Sequence, residues 1–119
     1  MDIHIRRAYE PASDQDGSRF LVDRLWPRGV SHEKMAAHWL KEVAPSTELR
    51  QWFDHRAERW DEFRQRYWQE LAAQPKLLAP LRDALERGPV TLVYGAHDSE
   101  HNQAVALREY LLAHARRPH

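Results

Sequence analysis

The feature that most constrains the fold is a short apolar run, PVTLVYGA at residues 89–96, which lies between two helical patterns. Its Val, Thr, Leu and Tyr residues are typical of a strand. The preceding stretch from Ser46 to Glu86 repeats apolar residues at three- and four-residue spacing, as does the stretch from about Ser99 to His114. A strand followed by such a helix is half of a parallel crossover, so the sequence predicts an α/β fold.

Local signals divide the region before this strand into three helices. Ser46 is the predicted N-cap of the first, and Pro75 begins the third, which ends at Gly88. The aromatic stripe on the first two helices is better explained as core than as a ring-stacking platform; it consists of Trp52, Phe53, Trp60, Phe63 and Tyr67. Trp39 is interpreted in the same way, whereas Trp68 falls off the stripe and is expected to be exposed or in a second contact.

Two further strands are predicted near the amino terminus. Ile3 and Ile5 alternate with polar residues, and RFLVD at residues 19–23 is a short apolar run that follows a loop at residues 10–18. Ser31 is the predicted cap of a short helix. We therefore expect residues 1–119 to form a single small α/β domain, a short mostly parallel sheet packed by several helices. The relative direction of the first two strands is left open.

Composition excludes several classes of function. The 18 basic and 18 acidic residues of this 119-residue chain cancel, so no nucleic-acid partner is expected. The chain has no cysteine, which excludes disulfides, thiolate catalysis and cysteine metal sites. No signal peptide or membrane span is predicted, so we expect a cytoplasmic protein without a membrane partner. The sequence identifies no cofactor and no oligomeric state.

Polar residues follow two of the predicted strands. Ligands of open α/β sheets bind beyond the carboxyl ends of the strands, and these ends share one edge when the strands are parallel. The sequence therefore predicts a site at this edge if the two strands run parallel. The residues concerned are Asp23, Arg24, Trp26 and Arg28 after the second strand, and Tyr94, Gly95, His97, Asp98, His101 and Asn102 after the third.

Arg24 and Arg28 are the predicted anion ligands of this site. Guanidinium groups suit phosphate or carboxylate, and Gly29 with the start of the helix after Ser31 could add backbone N–H groups. The alternative is that Asp23 and a nearby arginine form a structural pair that fixes the turn, with Trp26 as packing.

Three histidines are candidates for proton transfer or metal binding. His97 and His101 are four residues apart with Asp98 between them, a spacing that suits a metal or a general base. These positions straddle the predicted helix start, where helical geometry does not yet hold. His55 is a further candidate for proton transfer, with a helix-end role as the alternative.

Four motifs resemble one bacterial family. LVDRLWPRGVS, APSTELRQWFDH, RWDEFRQRYWQEL and GPVTLVYGAHDSEHNQA occur in the order found in the YeaO-like branch of the uncharacterised family called domain of unknown function 488. The resemblance extends from Ile5 to about Leu112. It implies no assigned reaction. Longer relatives have a motif of cysteines, histidine and arginine after the last strand, where this chain has Tyr94, Asn102, Gln103 and Ala104. A thiol mechanism therefore does not carry over.

Two functions remain open at this point. The first is a small-molecule site for an anionic ligand, with or without catalysis. In this site Asp23, His55 and His101 are the catalytic candidates, and the ligand-binding candidates are Arg24, Trp26, Arg28, Tyr94 and Asn102. The second is a non-catalytic binding or regulatory module whose motif residues are structural. A weaker alternative is a metal site at His97, Asp98 and His101.

Overall fold

The computed structural model describes residues 1–115, which contain a sheet of four parallel strands. The strands are β1 (Ile3–Arg7), β2 (Ser18–Leu21), β3 (His38–Trp39) and β4 (Val90–Tyr94). Their spatial order is β1-β4-β2-β3, so the last strand of the chain is inserted between the first two. This confirms the predicted α/β fold with a parallel sheet. It also answers the open question, since β1 and β2 run in the same direction on either side of β4.

Five α-helices accompany the sheet in this part of the chain. They are α1 (His32–Met35), α2 (Thr47–Phe53), α3 (Trp60–Ala73), α4 (Ala79–Arg87) and α5 (Gln103–Ala113). Short 3-10 segments lie at Asp14–Asp16, Lys41–Val43, Ala57–Arg59 and Pro75–Leu78. None of the described helices has both the length and the apolar character needed to cross a membrane.

The two faces of the sheet are covered unequally. On one face, Phe20, Leu92 and Tyr94 belong to a large core that also contains residues from α2 to α5. On the other face, Leu21 and Val93 pack in a small cluster with Ala8, Val30 and Met35. The alternation of a pleated strand explains this division, because successive side chains point to opposite faces.

Side-chain caps begin several helices where the sequence predicts them. The Ser31 hydroxyl accepts a hydrogen bond from the Lys34 N–H, and the Ser46 hydroxyl accepts one from the Leu49 N–H. Gly88 ends α4 as predicted. Each of the two serine hydroxyls satisfies an N–H group that has no partner within its own helix.

The start of the last helix is predicted wrongly. The α-helix begins at Gln103 rather than near Ser99, because Asn102 and not Asp98 caps it. The Asp98 Oδ1 instead accepts hydrogen bonds from the Glu100 and His101 N–H groups in a separate turn. Two residues with good capping side chains, Asp98 and Asn102, thus divide the segment into a turn and a helix.

The placement of Trp39 in the core is also wrong. Trp39 is 40% exposed, and its indole Nε1 donates to the Asp23 carbonyl at 2.8 Å. It belongs to β3, a two-residue edge strand that the sequence analysis does not predict. Trp68 is expected either to be exposed or to make a second contact, and it makes such a contact: its Nε1 donates to the Ala106 carbonyl at 3.0 Å.

Candidate functional site

The carboxyl ends of β2 and β4 are joined through the side chain of Asp23. Its Oδ2 accepts a hydrogen bond from the Gly95 N–H at 2.8 Å, and its Oδ1 accepts one from the Gln103 side-chain amide. The backbone pairing leads directly to this point, since the Val22 N–H donates to the Val93 carbonyl at 3.0 Å. The two groups of polar residues that the sequence predicts at one edge of the sheet therefore meet there.

Gly95 lets the Asp23 carboxylate approach the end of β4. A Cβ atom at position 95 would lie 3.0 Å from Asp23 Oδ2 and 3.4 Å from Pro27 Cγ. That distance is shorter than ordinary van der Waals contact, so a side chain here would displace the carboxylate. The need for glycine at this position follows from close packing rather than from its backbone angles.

Burial makes Asp23 a weaker acid than an exposed aspartate, so the carboxyl holds its proton more readily. Removal from water raises the pKa of Asp23 to about 6, against the opposing effects of the Gly95 N–H, the Arg50 charge and the Gln103 amide. No cation among residues 1–115 lies within 4 Å of the carboxylate. Asp23 is thus a half-buried acid whose described hydrogen-bond donors are all neutral.

A cleft of about 900 Å³ opens beside Asp23 at this edge of the sheet. Its walls come from the turn after β2, from α2 and the turn after it, and from the segment between β4 and α5. Phe53 and Phe63, stacked with ring centroids 4.3 Å apart, also line it. Of the residues predicted for the site, the cleft lining includes Asp23, Arg24, Trp26, His55, His101 and Asn102.

Arg24 and Arg28 do not come together in the cleft. Arg24 lines it, but its Nη1 lies 3.8 Å from Glu42 Oε2 and both side chains are largely exposed. Arg28 is exposed and outside the lining. Neither arginine forms an ion pair with Asp23, the structural alternative considered from the sequence.

Arg50 is the arginine that the sequence analysis misses. It extends from α2 into the cleft lining, where its charge lies near enough to Asp23 to lower the pKa of that carboxyl. Its Nη2 donates to the Thr47 hydroxyl at 3.3 Å. Its Nε is buried and has no hydrogen-bond acceptor within the described part of the chain. In the sequence Arg50 looks like any arginine on an amphipathic helix, so no signal distinguishes it.

His101 and Asp98 form a hydrogen-bonded pair in the cleft. The His101 Nδ1 lies 2.9 Å from Asp98 Oδ2, and the imidazole meets the Trp60 ring edge-on with centroids 5.4 Å apart. Hydrogen bonds from the Glu100 N–H, from the His101 imidazole and from the His101 N–H hold the pKa of Asp98 below its ordinary value. Within residues 1–115, no group of three or more side chains is arranged to hold a metal, and His97, Asp98 and His101 form none.

His55 reaches the cleft through an unusual turn. Asp54 ends α2 with φ 49°, and His55 follows with φ 53°, so two successive residues other than glycine adopt the left-handed conformation. This conformation costs of the order of 1 kcal/mol or more for each such residue. His55 is exposed and lines the cleft without a described hydrogen bond to His101.

Asn102, Tyr94 and Trp26 have structural contacts. Asn102 is 2% exposed: its Oδ1 accepts from the Val105 N–H at 3.1 Å, and its amide donates to the Asp98 carbonyl at 2.8 Å. Tyr94 is buried in the large core and is not part of the cleft lining. Trp26 donates to the Val30 carbonyl at 2.6 Å, while part of its ring lines the cleft.

Comparisons with known proteins agree on one family. The family model described as "Inactive DUF488-N3 subclade" matches residues 2–119. The chain is 41% identical over 112 residues to the uncharacterised protein YeaO of Escherichia coli K12, covering 93% of this chain and 97% of that protein. It is 40% identical over 110 residues to the uncharacterised protein Rv3073c of Mycobacterium tuberculosis H37Rv, covering 92% of each. No solved structure matches the chain. These matches confirm the family resemblance carried by the four sequence motifs.

Proposed function

Because the chain belongs to the DUF488 family, in the subclade described as inactive, we propose that it binds a small anionic ligand in this cleft without converting it. The binding group is the guanidinium of Arg50, with Arg24 as a second positive charge on the cleft wall. The sequence also predicts an anionic ligand at this edge of the sheet. The residues that it predicts to bind the anion are Arg24 and Arg28, however, and not Arg50.

The position of Arg50 in the cleft lining without a carboxylate partner among the described residues is the observation that carries this proposal. Its Nε is closed off from solvent without an acceptor in this part of the chain, so the terminal nitrogens are the ones that an anion in the cleft can reach. Guanidinium groups bind carboxylate and phosphate through short charge-assisted hydrogen bonds. Arg50 also has no carboxylate within 4 Å in the described residues that would compete for it.

Binding without conversion fits the residues that stand where longer relatives have cysteines. The family resemblance aligns Tyr94 and Asn102 with those cysteines. Tyr94 lies in the core and Asn102 caps α5, so both side chains serve the fold. The chain has no cysteine elsewhere that could take over a thiol reaction. A cytoplasmic location is part of the same proposal.

Thermal unfolding in the presence of small anions tests the proposal. Inorganic phosphate, sulfate, acetate and citrate are the probes, and a binding anion raises the melting temperature by several degrees at about a hundred times its dissociation constant. We expect Arg50→Gln to abolish this rise. Arg87→Gln, which removes the same charge from an exposed position on α4, is the matched control and should keep it. An equal rise in wild type and Arg50→Gln would contradict the role of Arg50.

The pair formed by His101 and Asp98 favours a second candidate function, acid–base catalysis. A carboxylate on Nδ1 orients the imidazole and leaves Nε2 to exchange a proton, which is the arrangement of many general bases. Asp23 and His55 remain the other predicted catalytic residues. Acetate or citrate, if it binds in the thermal assay, is incubated with the protein in D₂O, and exchange of the C–H protons next to its carboxylate is followed by NMR. Exchange that occurs with wild type and not with His101→Gln would favour proton-transfer catalysis over simple binding.

A further inference from the structure

Two opposite charges in the cleft lack a charged partner. The Asp23 carboxylate is bonded only to the neutral Gly95 N–H and Gln103 amide. The Arg50 guanidinium is bonded only to the neutral Thr47 hydroxyl, and its Nε has no acceptor among residues 1–115. Both side chains line the same cleft, yet they are more than 4 Å apart and form no ion pair with each other.

Each of the other aspartates and arginines of the described cleft lining lies within 4 Å of an oppositely charged side chain or of a histidine. Arg24 lies 3.8 Å from Glu42, and Asp54 Oδ2 lies 3.6 Å from the Arg56 Nε. Asp98 is held by His101. Asp23 and Arg50 are therefore the two strongly charged groups of the described lining that have neither an oppositely charged side chain nor a histidine within 4 Å.

We propose that the ligand is a small zwitterion, an amino acid or a related amino-carboxylate, whose ammonium binds Asp23 and whose carboxylate binds Arg50. This inference rests on the proposed function and adds a second charge to the ligand. Partly burying a charge without a partner is unfavourable, and the protein retains two such half-buried charges of opposite sign in one cleft. A ligand with both charges compensates both residues at once, whereas a simple anion compensates Arg50 alone.

The apolar part of the cleft wall suits the part of the ligand between its charges. Leu25 is exposed and Trp26 is half-buried, and both belong to the lining, so they offer an apolar surface in the same cleft as the two charged groups. A chain of methylene groups would pack on this surface. The number of methylenes sets the spacing of the two ligand charges, and one length should therefore fit Asp23 and Arg50 better than the others.

NMR titration with a homologous series of ligands tests this inference. The probes are amino-carboxylates from glycine to aminohexanoate, together with the alkanoate and the alkylamine of each chain length. The titrations are performed at about pH 7.5, above the Asp23 pKa of about 6, so that the carboxylate is charged. We expect one amino-carboxylate to bind at least about tenfold more tightly than the alkanoate and the alkylamine of equal length.

Variants assign each end of the ligand. Asp23→Asn should reduce the affinity for the best amino-carboxylate to that of the alkanoate, and Arg50→Gln should reduce it to that of the alkylamine. Asp83→Asn and Arg87→Gln remove the same charges from exposed positions on α4 and should leave the affinity unchanged. The amide spectrum of each variant shows directly whether its fold is retained.

Each other outcome overturns a defined part of the reasoning. If the alkanoate binds as tightly as the amino-carboxylate, the zwitterion is wrong and the anion site at Arg50 stands. If only the alkylamine binds, both are wrong, because the cleft then binds through Asp23 alone. If no probe and none of the inorganic anions binds, the proposed function fails together with this inference.

Discussion

Replacement of Asp23 by asparagine should change the free energy of unfolding of the ligand-free protein more favourably at neutral and alkaline pH than at acid pH. The side chain keeps its shape, its oxygen can still accept from the Gly95 N–H, and Gln103 can turn its amide to offer an oxygen instead of an N–H. The change therefore removes a buried charge while preserving the hydrogen bonds that join β2 and β4.

The size of the effect follows from the acid dissociation of Asp23. Since burial raises its pKa from 3.8 to about 6, the folded state binds the proton more tightly than the unfolded state. The stabilisation from this proton is complete below pH 3.8 and is lost as the pH rises through about 6. At about 1.4 kcal/mol for each pH unit, the whole loss is about 3 kcal/mol, of which about 1.4 kcal/mol falls between pH 5 and pH 8.

Urea unfolding of wild type and Asp23→Asn at several pH values between about 5 and 8 measures this loss. We expect the difference in free energy of unfolding, variant minus wild type, to become more positive by about 1.4 kcal/mol over that range. Any constant effect of the substitution cancels in this comparison. Asp83→Asn, at an exposed position on α4, reports the effect of losing one negative charge at the surface.

A difference that stays constant from pH 5 to pH 8 would refute the reasoning, since it would mean that burial does not raise the pKa of Asp23. The same trend in Asp83→Asn would refute it in another way, by assigning the effect to net charge. Agreement with the prediction would show that the protein retains a charge that destabilises its free form, as residues in binding sites often do.

Three further substitutions test the contacts around the site. Gly95→Ala should lower the free energy of unfolding by about 1–2 kcal/mol in urea, because its Cβ displaces the Asp23 carboxylate from the backbone N–H; a loss below about 0.3 kcal/mol would count against this packing. Asn102→Ala should reduce stability by about 1 kcal/mol and speed amide hydrogen exchange at Val105, whose N–H it caps; unchanged exchange would argue against that cap. Trp39→Phe should reduce stability by about 1 kcal/mol through loss of the indole bond to the Asp23 carbonyl, and an unaltered urea midpoint would exclude this bond as a stabilising contact.

The elements that the sequence predicts are those whose own residues specify them. The apolar run of β4, the caps at Ser31 and Ser46, and the stop at Gly88 are local signals, and they agree with the fold. β3 has no such signal, because its two residues are exposed and owe their strand conformation to pairing with β2. The start of α5 was missed for a related reason, since Asp98 and Asn102 are equally good caps by residue type.

The meeting of polar residues at one edge of the sheet was predictable, and the presence of Arg50 in the cleft lining was not. Parallel strands bring their carboxyl ends to one edge whatever the details of packing, which is why Asp23 and Gly95 meet. Which helix arginine faces that edge depends on how α2 packs on the sheet. Arg50 lies there through tertiary packing, while Arg28, in the more suggestive motif, remains at the surface.

The position of β4 has a consequence for how the chain folds during synthesis. β1 and β2 each pair with β4 and not with each other, so neither has its central neighbour until residues 90–94 have been made. The bond between Gly95 and Asp23 closes a separation of 72 residues, and such long-range contacts form slowly. A ribosome-bound chain that ends before β4 should therefore lack both an ordered sheet and the cleft, and the cleft should appear together with the completed fold.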